Sequence, residues 1–190
     1  MTIEEPTPLP PITPGVARAL SPLVRRIACE GEGEEPGLNT YLIGIDEIVI
    51  IDPGPGAASH LDVLCGCGGD RIRWIIMTNT SAEYSGGALR LKELTGAELV
   101  APAGFEGADT VLDESYQVDA TEFRITTINV GDSGHHVFIL EQERSMIPGD
   151  HLDAGVPEGL AARVKRYRLK SIAPGHGQYI ENAKEVFAPK

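Results

Sequence analysis

The sequence predicts a domain of the α/β (α+β) class, in which two β-sheets pack together and helices cover their outer faces. Three observations predict this class. Segments with the apolar spacing of strands outnumber those with helical spacing, and the helical segments interrupt the strands without strict alternation. The 190 residues suffice for one domain with a two-layer core. The composition, 42% hydrophobic and 23% charged residues, is typical of a folded domain rather than of a disordered or membrane chain.

The beginning of the chain predicts an extended arm. Residues 1–15 contain five prolines and two glutamates but no lysine or arginine. This composition favours a semi-rigid extended segment and lacks the basic start of a signal peptide. We therefore assign residues 1–22 to a Pro-rich N-terminal arm and residues 23–190 to a single domain. Because no apolar run reaches the roughly 18 residues of a membrane span, we expect a cytoplasmic protein without a membrane partner.

Apolar runs predict the strands of this domain. A first strand begins near Leu23 and ends near Cys29, and residues 41–44 and 48–51 form a hairpin. Residues 71–77 form a nearly continuous apolar strand, as expected where both faces of a sheet are covered. The other predicted strands cover residues 98–101, 122–130, 136–140, 145–147 and 171–173. Helices are predicted over residues 58–64, 86–95 and 158–168 and from residue 182 onward.

The charge of the chain disfavours nucleic acid as a partner. Sixteen Lys and Arg residues stand against 28 Asp and Glu residues, which gives a formal charge of −12. Nucleic-acid binding depends largely on basic side chains that neutralise phosphates. One local exception is a basic stretch, which we interpret as a solvated helix face; it consists of Arg163, Lys165, Arg166, Arg168 and Lys170.

The three cysteines do not predict a disulfide framework. Cys29, Cys65 and Cys67 are an odd number, in a chain that we expect to be cytoplasmic. Cys65 and Cys67 lie near the predicted end of a helix at Gly66, and two thiolates alone do not complete a tetrahedral metal site. We expect these cysteines to act as small apolar residues.

Residues 77–87 form the most informative segment of the chain. They read Met-Thr-Asn-Thr-Ser-Ala-Glu-Tyr-Ser-Gly-Gly and follow the apolar run 72–76. The segment resembles Thr-His-x-His-x-Asp-His-Ser-Gly-Gly, the signature of the metallo-β-lactamase superfamily, in which His and Asp side chains hold one or two zinc ions. The frame of the signature is intact, but its ligand positions are not.

Further segments match this superfamily in the expected order. Residues 38–55 resemble its opening strands and its Asp-x-Gly turn, and residues 129–137 resemble Thr-Pro-Gly-His-x-x-x-His-Val. Residues 147–151 read Ile-Pro-Gly-Asp-His and resemble Thr-Gly-Asp-His, while residues 172–177 resemble the late Pro-Gly-His-Gly segment. The resemblance covers the chain from about residue 23 and is nearest to the β-lactamase-like and hydroxyacylglutathione-hydrolase-like branch. Periodicity alone leaves several α/β architectures open, and the resemblance selects the four-layer αββα sandwich.

The resemblance also implies a degenerate metal site at the strand ends. Its vestigial positions are Asn79, Ser81, Glu83, Tyr84, Asp132, Asp150 and His176. The first five differ from the ligand that the signature requires, and the last two are retained. The first metal position corresponds to Asn79, Ser81 and Asp132, the second to Glu83, Tyr84 and His176, with Asp150 reaching both. Asp52 corresponds to the structural Asp behind the metal loop.

Amide and hydroxyl oxygens are poor zinc ligands, so we expect no metal and no other cofactor, although relatives bind zinc. Weak binding through Glu83, Asp150 and His176 remains an alternative. We expect Asn79 and Tyr84 to fill the vacated space with hydrogen bonds, because buried polar groups require partners. Asp150 and His176 are then expected to have structural roles.

We assign no catalytic residue. Without a metal, nothing in the sequence generates a hydroxide nucleophile, and Ser81 and Ser85 have no evident base nearby. We expect His135, His136 and His151 to be structural or exposed. The sequence thus predicts a non-hydrolytic pseudoenzyme that binds an unknown protein or small molecule. Alternatives are a metal-dependent hydrolase of an ester, thioester or phosphodiester with an oxygen-rich site, and a structural subunit that forms homo-oligomers or joins an active paralogue.

Overall fold

The computed structural model describes residues 10–33, 35–130 and 135–188. Within these ranges the chain forms twelve strands in two sheets, together with five α-helices. The seven-stranded sheet consists, in spatial order, of β1 (Arg18–Ala19), β2 (Val24–Glu30), β3 (Pro36–Ile43), β4 (Ile48–Ile51), β5 (Ile72–Ile76), β6 (Glu98–Ala101) and β7 (Thr110–Val111). The five-stranded sheet runs in spatial order from β12 (Ser171–Pro174) through β11 (Ser145–Gly149), β10 (His135–Leu140) and β9 (Arg124–Val130) to β8 (Gln117–Asp119).

The helices lie between these strands in the chain. They are α1 (Ala58–Gly68), α2 (Ala82–Ser85), α3 (Ala88–Thr95), α4 (Leu160–Val164) and α5 (Ala183–Val186). Two 3-10 turns, Gly69–Arg71 and Lys165–Tyr167, follow α1 and α4. Among the described residues, no helix combines the length and the apolar character that a bilayer span requires.

The four layers form because successive apolar side chains of a strand pack into different cores on its two faces. In β4, Val49 and Ile51 belong to the core between the two sheets, whereas Ile48 and Ile50 pack towards α1 and α3. In β10, Phe138 faces the central core and Ile139 packs with residues of α4. Because successive side chains point to opposite faces of a strand, an all-apolar strand is buried on both sides. The four-layer αββα sandwich expected from the resemblance is confirmed.

Several predicted element boundaries were wrong. The first helix was predicted over residues 58–64 but continues to Gly68, and Gly69 then adopts a positive φ of 61°. The helix predicted over residues 158–168 is shorter: α4 is followed by a 3-10 turn that ends at Arg168 in the left-handed conformation. The short elements β7, β8 and α2 were not predicted, because two to four residues show no periodicity.

The predicted arm is partly integrated into the fold. Arg18–Ala19, inside the segment assigned to the arm, pairs with β2 as the edge strand β1. The Gly15 N–H donates to the Ala28 carbonyl at 2.9 Å, and Gln178 Nε2 donates to the Pro10 carbonyl at 3.1 Å.

Four strand ends meet at one edge of the sandwich. β4 and β5 are parallel neighbours in one sheet, and β11 and β12 are parallel neighbours in the other. Two hydrogen bonds connect the loops at this edge: the His136 N–H donates to the Thr78 carbonyl at 3.0 Å, and the Gly175 N–H to the Gly149 carbonyl at 2.8 Å. In α/β sheets, sites form at the carboxyl ends of strands, so this edge is the place to look for one.

Candidate functional site

Asp52 anchors the loop that carries the signature. It directly follows β4 with a positive φ of 56°, a conformation that Asp and Asn tolerate better than most residues. Its buried carboxylate accepts hydrogen bonds from the Thr78 N–H at 2.8 Å and from the Thr78 hydroxyl at 3.0 and 3.1 Å. Asp52 therefore directly contacts the first residue of the loop after β5 that follows Met77.

Burial changes the ionisation of Asp52. Loss of solvation raises the pKa of its carboxyl to about 7, although the hydrogen bonds from Thr78 act in the opposite direction. The negative charge of Asp150 raises this pKa further. No cation compensates the carboxylate in the described part of the chain, so the protonated form persists to unusually high pH.

Asn79 and Ser81, two of the positions that the sequence aligned with metal ligands, form hydrogen bonds with each other. Asn79 is buried, and its Oδ1 accepts hydrogen bonds from the Ser81 N–H at 3.0 Å and from Ser81 Oγ at 2.7 Å. Its Nδ2 donates to Asp150 Oδ1 at 3.3 Å. The expectation that Asn79 replaces metal contacts by hydrogen bonds thus agrees with the geometry. The same carboxamide also ties the β5 loop to the end of β11.

His176, which the sequence assigned to the second metal position of the signature, lies close to two carboxylates. Its Nε2 lies 2.8 Å from Glu83 Oε1, and its Nδ1 lies 3.7 Å from Asp153 Oδ2. The imidazole therefore lies between two acidic side chains. Asp153 was not singled out from the sequence; only its distance of three residues from Asp150 could have indicated it.

Tyr84 fills its position by packing, and the expectation that it forms a hydrogen bond was wrong. The side chain is buried in a small apolar cluster with Cys29 and Leu38, and its ring meets the His176 ring edge-on at 6.1 Å. Its hydroxyl has no hydrogen-bond partner among the described residues. A Cβ on Gly175 would lie only 2.5 Å from that hydroxyl, so glycine at this position makes room for the phenol.

Tyr84→Phe is expected to leave the free energy of unfolding unchanged or to raise it by about 1 kcal/mol, because a buried hydroxyl without a partner costs desolvation. Tyr41→Phe is the matched control. Its hydroxyl is also buried but donates to the Pro174 carbonyl at 2.6 Å, so the control should lose about 1 kcal/mol. Urea denaturation of both variants measures the contrast. Equal destabilisation by the two changes would show that the Tyr84 hydroxyl has a partner in solution.

Three histidines, His135, His136 and His151, lie beside the candidate site. His135 and His151 stack with ring centroids 4.4 Å apart, and their Nδ1 atoms are 3.2 Å apart. His151 Nδ1 also lies 3.3 Å from Asp150 Oδ1. Burial lowers the pKa of His151, and it lowers the pKa of His136 to about 4. The adjacency of His151 to Asp150 in the sequence was the available signal.

The donor set does not fit the zinc centre of the superfamily. Zinc requires about four imidazole, thiolate or carboxylate ligands. Here Asn79 and Ser81 are hydrogen-bonded to each other, and Glu83 is paired with His176. Within the described ranges, no three His, Cys, Asp or Glu side chains are arranged to hold a metal ion. Asp132, the remaining vestigial position, lies outside the described residues.

The other candidate nucleophiles are held in structural contacts. Ser85 Oγ donates to the Thr80 and Ser81 carbonyls, and no general base contacts it in the described structure. Cys29 is buried, and loss of solvation raises the pKa of its thiol to about 11. Cys65 and Cys67 lie at the end of α1 as partly exposed free thiols that pack against the core, so the expectation of apolar packing agrees with their contacts.

Comparisons with known proteins found distant relatives in sequence and similar solved structures. No protein-family model matches the chain. The chain is 26% identical over 180 residues to the atrochrysone carboxyl ACP thioesterase of Emericella nidulans, an alignment that covers 86% of this chain and 58% of the relative. It is also 26% identical over 143 residues to the enzyme of the same name from Aspergillus terreus, which covers 70% and 45%. The chain thus spans about half the length of the curated relatives that it matches.

Solved structures share the architecture at low sequence identity. A metallo-β-lactamase from Pontibacter korlensis superposes with a TM-score of 0.69 at 14% identity, over 88% of this chain and 94% of that chain. The peroxy diiron species of the chemotaxis sensor ODP gives a TM-score of 0.68 at 16% identity, over 90% and 91%. A metallo-β-lactamase family protein from Thermus thermophilus gives 0.68 at 15%, over 88% and 78%. These likenesses confirm the predicted resemblance at the level of the fold.

Proposed function

We propose that this protein, which has the metallo-β-lactamase fold, does not hydrolyse a substrate and serves as a binding domain. The observation that carries this proposal is the hydrogen-bonded closure of the former ligand positions. Asn79 bonds Ser81 and Asp150, and Glu83 bonds His176, so the polar groups that would contact a metal are already paired with one another. A metal would have to replace these bonds with weaker amide and hydroxyl ligands.

Hydrolysis in this superfamily requires a metal-bound water whose pKa is lowered towards neutrality. The residues present offer no substitute for that water. The histidines nearest to Asp150 contact each other and the carboxylate rather than a serine or cysteine nucleophile. We therefore propose that the protein carries no stoichiometric zinc and has no catalytic residue.

Similarity to two thioesterases supports a second candidate function. A metal-dependent hydrolase with an altered, oxygen-rich site would use Glu83, Asp150 and His176, and by analogy with those relatives a thioester would be its first substrate to test. Esters and phosphodiesters are further candidates. This function requires rearrangement of the Asn79 side chain, because its amide nitrogen now points at Asp150.

Elemental analysis of protein purified without chelators distinguishes the two functions. We expect far less than one zinc or iron per chain and no hydrolysis of lactoylglutathione, nitrocefin or a bis-nitrophenyl phosphodiester. Assays with added Zn²⁺, Mn²⁺ or Fe²⁺ test whether a metal was lost during purification. Near-stoichiometric metal, together with hydrolysis that EDTA abolishes, would establish the hydrolase instead.

For the partner of the binding domain, we propose a chemical class and no individual molecule. We propose a protein or small molecule in the cytoplasm rather than nucleic acid, because the net charge of −12 would repel phosphates. Association with an active paralogue or with a second copy of the chain is a further arrangement, which size-exclusion chromatography with light scattering would detect.

Asp150→Asn is expected to change the free energy of unfolding by less than about 1 kcal/mol, because an amide oxygen can still accept from Asn79. Loss of this charge also relieves its repulsion of Asp52. Millimolar Mn²⁺ should shift the melting temperature of neither protein. In an intact metal centre the same change would remove a shared ligand.

Asp150→Ala is the control for the hydrogen bonds. It leaves Asn79 Nδ2 without this acceptor, so we expect a loss of about 1–3 kcal/mol. Thermal denaturation with and without Mn²⁺ gives the melting temperatures of the wild type, Asp150→Asn and Asp150→Ala. Stabilisation of the wild type alone by Mn²⁺ would show that a working cation site survives and would favour the hydrolase.

A further inference from the structure

A cleft of about 910 Å³ lies between α4, with its 3-10 turn, and α5. Its floor is apolar: Val164, Leu169 and Ala183 are buried, and Phe187 is half-buried beside them. This volume lies in the range of roughly 300–1,000 Å³ that is typical of small-molecule pockets. The cleft is therefore large enough for an apolar chain of small-molecule size.

The rim of this cleft is strongly basic in an acidic protein. Glu181 is the one acidic residue among its described lining residues, whereas five lining residues are basic: Arg144, Lys165, Arg168, Lys170 and Lys184. None of these five side chains forms an ion pair within the described ranges. In a chain with a net charge of −12, this local reversal of sign provides an attraction for anions.

The cleft is separate from the candidate site. Arg144 and Lys170 immediately precede β11 and β12, whereas Asp150 and His176 follow the same strands. At about 3.3 Å per residue, the five residues of β11 separate the two locations by roughly 16 Å. A ligand in the cleft would therefore leave the candidate site uncovered.

Backbone geometry holds the basic rim in place. Arg144 and Arg168 have positive φ values of 54° and 49°, a conformation that is uncommon for residues other than Gly, Asn and Asp. The Lys170 N–H donates to the Arg144 carbonyl at 2.8 Å, and the Ala183 N–H donates to the Lys170 carbonyl at 2.8 Å. Unfavourable backbone conformations occur often at binding sites, where the surrounding structure maintains them.

We propose that this cleft binds an amphipathic anion, with a carboxylate or phosphate head group at the basic rim and an apolar chain on the Val164, Leu169, Ala183 and Phe187 floor. Arginine forms paired, charge-assisted hydrogen bonds with either head group. Burial of an alkyl chain against the apolar floor favours binding, and each fully buried methylene should tighten binding on the order of fourfold. The basic stretch that the sequence suggested as a solvated helix face thus contributes Lys165, Arg168 and Lys170 to a ligand site.

Titration of the full-length ¹⁵N-labelled protein with octanoate, decanoate and decyl phosphate tests the proposal. We expect saturable shifts of amide signals from residues 161–170 and 181–187, tighter binding of decanoate than of octanoate, and weaker binding in 500 mM than in 50 mM NaCl. Comparison of decanoate with decyl phosphate identifies the preferred head group. Failure of both decanoate and decyl phosphate to bind would overturn the proposal. Binding of the neutral decyl maltoside with the same affinity as decanoate would overturn it as well.

Variants then assign the binding to the cleft. Lys165→Gln combined with Arg168→Gln should weaken decanoate binding by roughly tenfold or more, because it removes charge-assisted contacts. Arg166→Gln is the matched control: Arg166 belongs to the same turn but stacks on Tyr167 outside the cleft, so its loss should change affinity by less than about twofold. Ala162 is an exposed residue that lines the cleft, so Ala162→Trp should block binding of the alkyl chain without unfolding the protein. A thermal denaturation curve of this variant checks that it is folded. Equal weakening by Arg166→Gln and the double variant would show general charge attraction and overturn the assigned site.

Discussion

A variant with five restored ligands is expected to gain about 8–16 °C in melting temperature when zinc is present at 1,000 times its dissociation constant. The changes are Asn79→His, Ser81→His, Glu83→Asp, Tyr84→His and Asp132→His. They recreate the ligand set of the superfamily beside Asp150 and His176. A ligand that binds only the folded state stabilises it by about 4 kcal/mol at this excess, and one kcal/mol corresponds to roughly 2–4 °C in a chain of this size.

Without zinc, the same variant should be less stable than the wild type. Tyr84 packs with Cys29 and Leu38, and a histidine in its place removes buried apolar contacts. The Asn79–Ser81 hydrogen bonds are lost as well. The zinc-dependent gain is therefore measured against the metal-free variant, by differential scanning calorimetry after chelation and after zinc addition.

A control variant carries the same five changes together with Asp150→Ala and His176→Ala. It retains the added histidines but lacks both of the original ligands, so zinc should raise its melting temperature far less. A zinc effect that is absent from the five-residue variant, when circular dichroism shows that it is folded, would contradict the alignment of these loops with the signature. Equal effects in the two variants would indicate adventitious binding by surface histidines.

Asp52→Asn is expected to remove a pH dependence of about 4 kcal/mol from the stability of the protein, since the pKa of about 7 lies some three units above the ordinary value. Below pH 4 the carboxyl is protonated in both the folded and the unfolded state. Between pH 4 and 7 only the folded state keeps the proton, so this contribution to stability falls as pH rises. Above pH 7 both states are ionised and the difference is constant.

Asparagine is a suitable replacement at this position. It tolerates the positive φ of Asp52, its oxygen can accept from the Thr78 N–H, and it has no charge to bury. Burial lowers the pKa of His60 and His136 to about 4, so their titration destabilises both proteins equally at acid pH. Their effect cancels in the difference between wild type and variant.

Urea unfolding of both proteins from pH 4 to pH 8 measures this difference. We expect the wild type to lose stability relative to Asp52→Asn by about 1.4 kcal/mol per pH unit between pH 4 and 7. A flat difference for Asp52→Asn would show that the hydrogen bonds from Thr78 outweigh burial and keep the carboxylate ionised.

The sequence alone predicted the layers of the fold and the location of the candidate site. The nearly continuous apolar run over residues 71–77 predicted a strand covered on both faces, and the loop motifs matched a known signature in the correct order. The departure of Asn79, Ser81 and Tyr84 from the His residues of the signature was also visible, because amide, hydroxyl and phenol groups differ from imidazole in chemistry alone. Nothing in their surroundings was needed to predict a poor metal site.

Only the tertiary structure decided what these residues do instead. Asn79 meets Asp150 from 71 positions away, and Glu83 meets His176 from 93 positions away. The hydroxyl of Tyr84 has no hydrogen-bond partner among the described residues, and no local sequence pattern reveals this. The basic cleft likewise joins Arg144, Lys165 and Lys184, which belong to three separate segments. Hydrogen bonding and burial depend on distances through space, whereas periodicity and motifs record only neighbours along the chain.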